Sequence, residues 1–142
     1  MLLSLYDKEK PEYLKEALTS IFEQTVMPKE IVLVYDGPIN EKLQVVVTYF
    51  QQKDPHLFTV VKLEKNQGLG IALAIGLEHT KNRLVARMDT DDIMEPQRLE
   101  KQLEIFQKDP EIAIVGSNIE EFTGTLSNVI GRRIVPEYND EI

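Results

Sequence analysis

Ile31-Val32-Leu33-Val34-Tyr35-Asp36-Gly37-Pro38 sets five apolar or aromatic residues in a row, three of them β-branched, directly against a strong turn signal. A run of that kind is a strand buried on both faces, the type found in parallel sheets, and Asp36-Gly37-Pro38 stops it. The strand's carboxyl end therefore carries Asp36. Working outward, residues 2 to 6 read as a shorter strand. Pro11 suits the first turn of a helix that carries Leu14, Ala17, Leu18, Ile21 and Phe22 on one face. Downstream, residues 40 to 53 read as a helix and Phe58 to Leu63 as a strand after the Asp54-Pro55 break. The spacing then predicts a helix over Gly68 to Thr80, lined by Leu69, Ala72, Leu73 and Ile75, and a strand over Arg83 to Met88. Pro96 starts another helix, with Leu99, Leu103 and Phe106 on one face, and Ile112 to Val115 reads as a strand. This alternation predicts an α/β sheet of mainly parallel strands with helices on both faces. After Gly116 the pattern weakens, and Pro136 to Ile142 form no recognisable element.

At 142 residues and 42% hydrophobic content, the chain suits one α/β core, so a single domain over residues 1–142 is expected. Its 24 acidic residues against 16 basic ones give a net charge of -8, which opposes phosphate backbones and argues against nucleic acid as a partner. An acidic protein still accepts a diphosphate when a divalent cation lies between the two sets of negative charge. Cysteine is absent, which fits a reducing compartment. The apolar stretch Met1 to Tyr6 meets Asp7-Lys8-Glu9-Lys10 at once and is too short for a signal core or a membrane span. A cytoplasmic chain, or one at the cytoplasmic face of a membrane, with no span of its own, is expected.

In open α/β sheets, ligands sit beyond the carboxyl ends of the strands, which is where Asp36 and the run Asp89-Thr90-Asp91-Asp92 fall. Three carboxylates in four positions repel one another unless water or a cation accommodates them. If the backbone stays extended, Asp89 and Asp91 project to one side and meet one ion while Thr90 faces away. Their hard oxygens favour Mn2+ or Mg2+ over zinc. The competing reading is a solvated loop in which Asp91 or Asp92 caps the next helix.

Other motifs fail on particular residues. An EF-hand loop starting at Asp89 would need an oxygen ligand at Ile93 and a glycine at Met94. A dinucleotide fingerprint beginning at Gly68-Leu69-Gly70 has Leu73 in place of its third glycine. His56 and His79 stand alone, with nothing at metal-ligand spacing.

Four segments in order resemble family-2 glycosyltransferases of the GT-A fold. These are Pro11 to Leu18 with Ser20-Ile21 and Gln24-Thr25; Glu30 to Gly37; Asn66-Gln67-Gly68; and Arg87 to Asp92 followed by Pro96, Arg98, Leu99 and Gln102. The resemblance implies that Ser4 and Tyr6 lie beside the nucleotide base and that Asp36 accepts a hydrogen bond from uracil. It implies that Asn66 belongs to the nucleotide-binding loop, that Asp89 faces the ribose and shares the metal, and that Asp91 holds Mn2+ or Mg2+ on the donor diphosphate. It implies an inverting transfer from a UDP-sugar to a glycan or lipid-linked acceptor in cell-surface polysaccharide biosynthesis.

Ala72-Leu73-Ala74 departs from the Ala-Arg-Asn that often follows the family's Asn-x-Gly. The family's catalytic base, in a downstream Glu-Asp pair, is expected beyond Ile142, so no residue here is assigned that role and the chain alone is expected to bind donor without turnover. A non-catalytic nucleotide- or metal-binding module of the same fold is the alternative. A nucleotidyltransferase would want a glycine-rich loop after the first strand, and Tyr6 to Pro11 has none. Self-association through exposed Val129, Ile130 and Ile134 is also expected.

Overall fold

The computed structural model describes residues 1–136. The backbone groups into two compact units, Met1–Glu100 and a second from Lys101 onward.

In the first unit, β1 (Leu2–Leu5), β2 (Ile31–Tyr35) and β3 (Phe58–Lys62) form a parallel sheet in that order. Leu2 to Leu5 lie opposite Val32 to Tyr35, and Ile31 to Tyr35 lie opposite Phe58 to Lys62. All of β2 is buried, as an unbroken apolar run at the centre of a parallel sheet requires. The two-residue period of the strands divides the core. Leu3, Leu5, Ile31, Leu33 and Tyr35 join Leu14, Leu18 and Ile21 of α1 (Pro11–Phe22) and Leu43, Val47 and Phe50 of α2 (Glu41–Lys53). On the other face Leu2, Val32 and Val34 meet Ala72 of α3 (Leu69–Glu78). The expected α/β sheet with helices on both faces is therefore present.

Local chemistry sets the helix starts. Pro11 begins α1, where a missing N–H costs nothing, and the Asn40 side chain caps α2 by accepting the Leu43 N–H at 3.1 Å. α3 turns a narrower face to the sheet than its apolar residues predict. Ala72 and Gly76 are its buried residues, whereas Leu69 is 48% exposed. A Cβ on Gly76 would lie 2.5 Å from Leu2 Cδ1 and 2.6 Å from Val34 Cγ2, so this helix lies too close to the sheet for larger side chains there.

Two predicted strands do not form. Arg83 to Met88 makes a single parallel bridge, Leu2 to Arg87, through the Leu2 N–H to the Ala86 carbonyl at 2.9 Å and the Met88 N–H to the Leu2 carbonyl at 3.2 Å. The segment runs beside β1 but pairs over too few residues to be a strand. Ile112 to Val115 is irregular and Ile114 is 88% exposed, because no strand among the described residues pairs with it.

The helix predicted from Pro96 is α4 (Arg98–Lys108), with Leu99 buried. The second unit carries an antiparallel pair that the weakening pattern after Gly116 did not predict, β4 (Ile119–Phe122) and β5 (Val129–Arg133). Glu120 pairs with Arg132 at 2.7 Å and Glu121 with Arg133 at 2.5 Å across it. Val129, Ile130 and Ile134 are 40%, 65% and 80% exposed. The expectation for the last residues lies, from 137 on, outside the described residues.

Candidate nucleotide and metal site

The carboxyl ends of β1 and β2, and of the segment reaching Met88, place Tyr6, Asp36 and Asp89 along one edge of the first unit. Asp36 is not the open ligand its position predicts. It is 4% exposed, and its carboxylate accepts the Gln67 N–H at 2.7 Å on one oxygen and the Gly68 N–H at 3.0 Å on the other. The Asn66 side chain donates to the Asp36 carbonyl at 3.3 Å. This strap needs Gly37, whose φ is +90° and where a Cβ would sit 2.7 Å from Asn66 N.

The acidic run is built around its one uncharged member. Thr90 is 3% exposed, and its hydroxyl lies 3.0 Å from Glu9 Oε2 and 3.4 Å from the Ser4 carbonyl. Burying Thr90 against β1 leaves Asp89 partly exposed and Asp91 exposed. The backbone is not extended, which was the condition for Asp89 and Asp91 to project to one side: the Asp92 N–H reaches the Asp89 carbonyl at 3.4 Å in a turn. The helix-cap reading is also overturned, because α4 begins at Arg98, well past Asp92.

Two guanidinium groups flank the run. Arg87 Nη2 pairs with Asp89 Oδ1, and Arg98 Nη2 donates to the Arg87 carbonyl at 3.0 Å. Arg98 Nε is buried without a partner among the described residues. Desolvation, followed by the charges of Asp89 and Asp91, pushes the Asp92 carboxyl above its ordinary range, and Arg87 and Arg98 offset part of that.

Behind the run, the end of α1 is a polar clamp. Ser20 Oγ accepts the Met94 N–H at 3.1 Å, and Gln24 accepts the Leu99 N–H at 3.1 Å while donating to the Glu95 carbonyl at 2.8 Å. The Thr25 N–H reaches the Pro96 carbonyl at 2.9 Å. These residues of the Ser20 to Thr25 segment hold the chain that follows the acidic run and so fix where the run points.

The family model described as Glycosyl transferase family 2 matches residues 3–141. The chain belongs to that family. It is 49% identical over 122 residues to the amylovoran biosynthesis glycosyltransferase AmsE of Erwinia amylovora, covering 86% of this chain and 45% of that protein. It is 36% identical over 149 residues to an Escherichia coli UDP-Gal:alpha-D-GlcNAc-diphosphoundecaprenol beta-1,3-galactosyltransferase, covering 98% of this chain and 52% of that one. The chain thus spans about half the length of these curated relatives. Among solved structures, S. aureus TarS 1-349 in complex with UDP-GlcNAc matches with a TM-score of 0.63 and 26% identity, over 75% of this chain and 30% of that one. The sheet is that of the GT-A glycosyltransferases.

For a family-2 chain, the structure brings some expected site residues together. Asn66 is bonded to Asp36, and Ser4 is tied to the acidic run through Thr90. Tyr6 is 44% exposed. Among the described residues no group of three or more His, Cys, Asp or Glu is placed to hold a metal. The donor set nevertheless fits Mg2+ or Mn2+ held in the usual way for nucleotides, by one or two carboxylates with phosphate and water oxygens completing the shell. Asp89 is partly exposed and Asp91 exposed, so both carboxylates meet solvent at this edge. Sequence reasoning missed Glu9 and gave Arg87 and Arg98 no task, although charges of both signs within two residues of Asp89 were a readable signal.

Proposed function

We propose that this chain forms the donor-binding half of an inverting glycosyltransferase that moves a sugar from a UDP-sugar to a glycan or lipid-linked acceptor in cell-surface polysaccharide biosynthesis. The observation that carries the proposal is the presentation of Asp89 and Asp91 around buried Thr90, on the same sheet edge as the Asp36–Asn66 strap. The UDP-GlcNAc in the TarS structure and the lipid-linked substrate in the name of the E. coli relative support the donor and acceptor classes. No helix among the described residues is long and apolar enough to cross a membrane. The setting we assign is the cytoplasmic face of the membrane, a reading that rests on the lipid-linked substrate in the name of the E. coli relative.

Each residue's task follows from its chemistry. An ionised carboxylate has roughly four acceptor sites. Asp36 spends one on each of two backbone amides, which leaves room for it to accept a base N–H while its orientation stays locked. Ser4 and Tyr6 line the base side and Asp89 the ribose side. Asp89 and Asp91 hold Mn2+ or Mg2+ against the diphosphate, which a chain of net charge -8 would otherwise repel. When bound, that cation supplies Lewis-acid stabilisation of the charge on the departing nucleoside diphosphate.

Calorimetry of UDP binding with Mn2+ and with chelator tests the proposal. Binding should weaken by about tenfold or more without the cation, and likewise in Asp91→Asn, as expected for losing a charge-assisted contact. Equal affinity under all these conditions overturns it.

A further inference from the structure

We infer that Arg87 is a stand-in cation for the acidic run: its guanidinium holds Asp89 until a divalent cation takes the carboxylate, so that metal binding and release of Arg87 are one exchange. The inference rests on the reading of Asp89 and Asp91 as metal ligands.

Three observations on this chain carry it. Arg87 Nη2 pairs directly with Asp89 Oδ1, whereas Asp91, two residues on, has no ion-pair partner among the described residues. One of the run's three carboxylates, the one expected to share the metal, is thus paired by the chain itself.

The backbone of Arg87 is fixed on two sides. It bridges to Leu2 of β1, and its carbonyl accepts from Arg98 Nη2 at 3.0 Å. The side chain is therefore anchored within reach of the run and only its distal end needs to move. That end is in contact with water, as side-chain exposures of 47% for Arg87 and 37% for Asp89 show. A pair so exposed is weak and exchanges readily.

Arg87 occupies Oδ1 of Asp89 and places a positive charge beside it, so a divalent ion that approaches this carboxylate meets a like charge, which favours release of the guanidinium. The guanidinium carries a single charge and is weakly hydrated, and a divalent ion with a second carboxylate at Asp91 outcompetes it. The pair keeps the run from spreading by self-repulsion before the metal arrives, and it sets a modest threshold for metal binding.

The test follows Mn2+ alone, without nucleotide, by electron paramagnetic resonance of the free ion in a titration of the full chain. Parent, Arg87→Met, Arg87→Lys and Asp91→Asn are compared, each checked by thermal melting. Arg87→Met should bind Mn2+ about two- to fivefold more tightly than the parent, the size of an exposed ion pair that no longer has to be broken. Arg87→Lys keeps the competing charge and should show less of that gain. Asp91→Asn should bind more weakly. If Asp91→Asn weakens Mn2+ binding but Arg87→Met leaves it unchanged or weaker, the stand-in role is wrong and the metal reading survives. If Asp91→Asn binds Mn2+ as the parent does, the metal reading fails and this inference falls with it.

Discussion

Asp36 and the pair Asp89 and Asp91 flank β1, all at the carboxyl edge of one parallel sheet, yet the structure treats them in opposite ways. Asp36 is 4% exposed and spends both oxygens on the main-chain amides of Gln67 and Gly68. Asp89 keeps one removable side-chain partner, Arg87, and Asp91 points into solvent. Main-chain amides are part of the fold and cannot leave, so a carboxylate bound to them is framework first, whatever else it touches. A carboxylate bound to a flexible cation in water trades that partner for another at little cost. Position at a strand end therefore does not by itself distinguish a ligand from a brace; the partner's freedom to leave does.

The hardest blow to the framework side should come from Gly37→Ala. The new Cβ meets Asn66 N at 2.7 Å, and φ is +90°, so backbone strain and a main-chain clash add. A loss of about 4 kcal/mol is expected from the two together. Gly68→Ala carries the strain without the clash, since nothing lies within 4 Å of its Cβ, and should lose about 2 kcal/mol. Urea unfolding of both variants checks this. Equal losses would show that the 65–68 loop yields, and that the strap on Asp36 is loose.

Next in size is the direct contrast between the carboxylates. Asp36→Ala leaves two amides without acceptors and removes two charge-assisted bonds, a loss on the order of 3 kcal/mol in unfolding free energy. Asp91→Asn should change stability by under about 0.5 kcal/mol, since the side chain is exposed and has no ion-pair partner among the described residues. If Asp36→Ala unfolds with the parent, Asp36 is a ligand alone and the contrast disappears.

How much of this was legible depended on whether a segment's neighbours lie close in sequence. Ile31 to Tyr35 carries its burial in its own composition, and β1, β2, β3, α1 and α2 lie within a residue or two of their expected bounds. Arg83 to Met88 and Ile112 to Val115 have strand composition, but a strand also needs a partner, and pairing is not written in the segment itself. The β4–β5 pair failed in the other direction. Its apolar signal is weak, while the facing charges Glu120-Glu121 and Arg132-Arg133, around a turn at Gly124, were there to be read. At the candidate site the residue types were legible and their partners were not. That Asp36 is occupied by Gln67 and Gly68, and Asp89 by Arg87, depends on loops whose paths only the folded chain reveals.

The smallest effect sharpens the contrast from within the acidic run. Desolvation and the neighbouring Asp89 and Asp91 raise the folded-state pKa of Asp92, so ionising it is harder in the folded chain than in the unfolded one. The sign follows from linkage. Stability is fully present below the unfolded pKa and is lost as pH rises through the folded one, leaving a penalty at neutral pH. Asp92→Asn removes that penalty. The variant should be more stable than the parent at pH 7, by under about 0.5 kcal/mol given solvent screening, and the gain should vanish as pH falls below about 4, where both are uncharged. Saturating Mn2+ should shrink the gain as well, because a cation held by Asp89 and Asp91 removes two of the charges that oppose Asp92. Urea unfolding across pH, with and without Mn2+, measures both. A variant less stable than its parent at pH 7 would mean that attraction to Arg87 and Arg98 outweighs repulsion within the run, and the run would then be a braced framework like Asp36 rather than a site strained toward a cation.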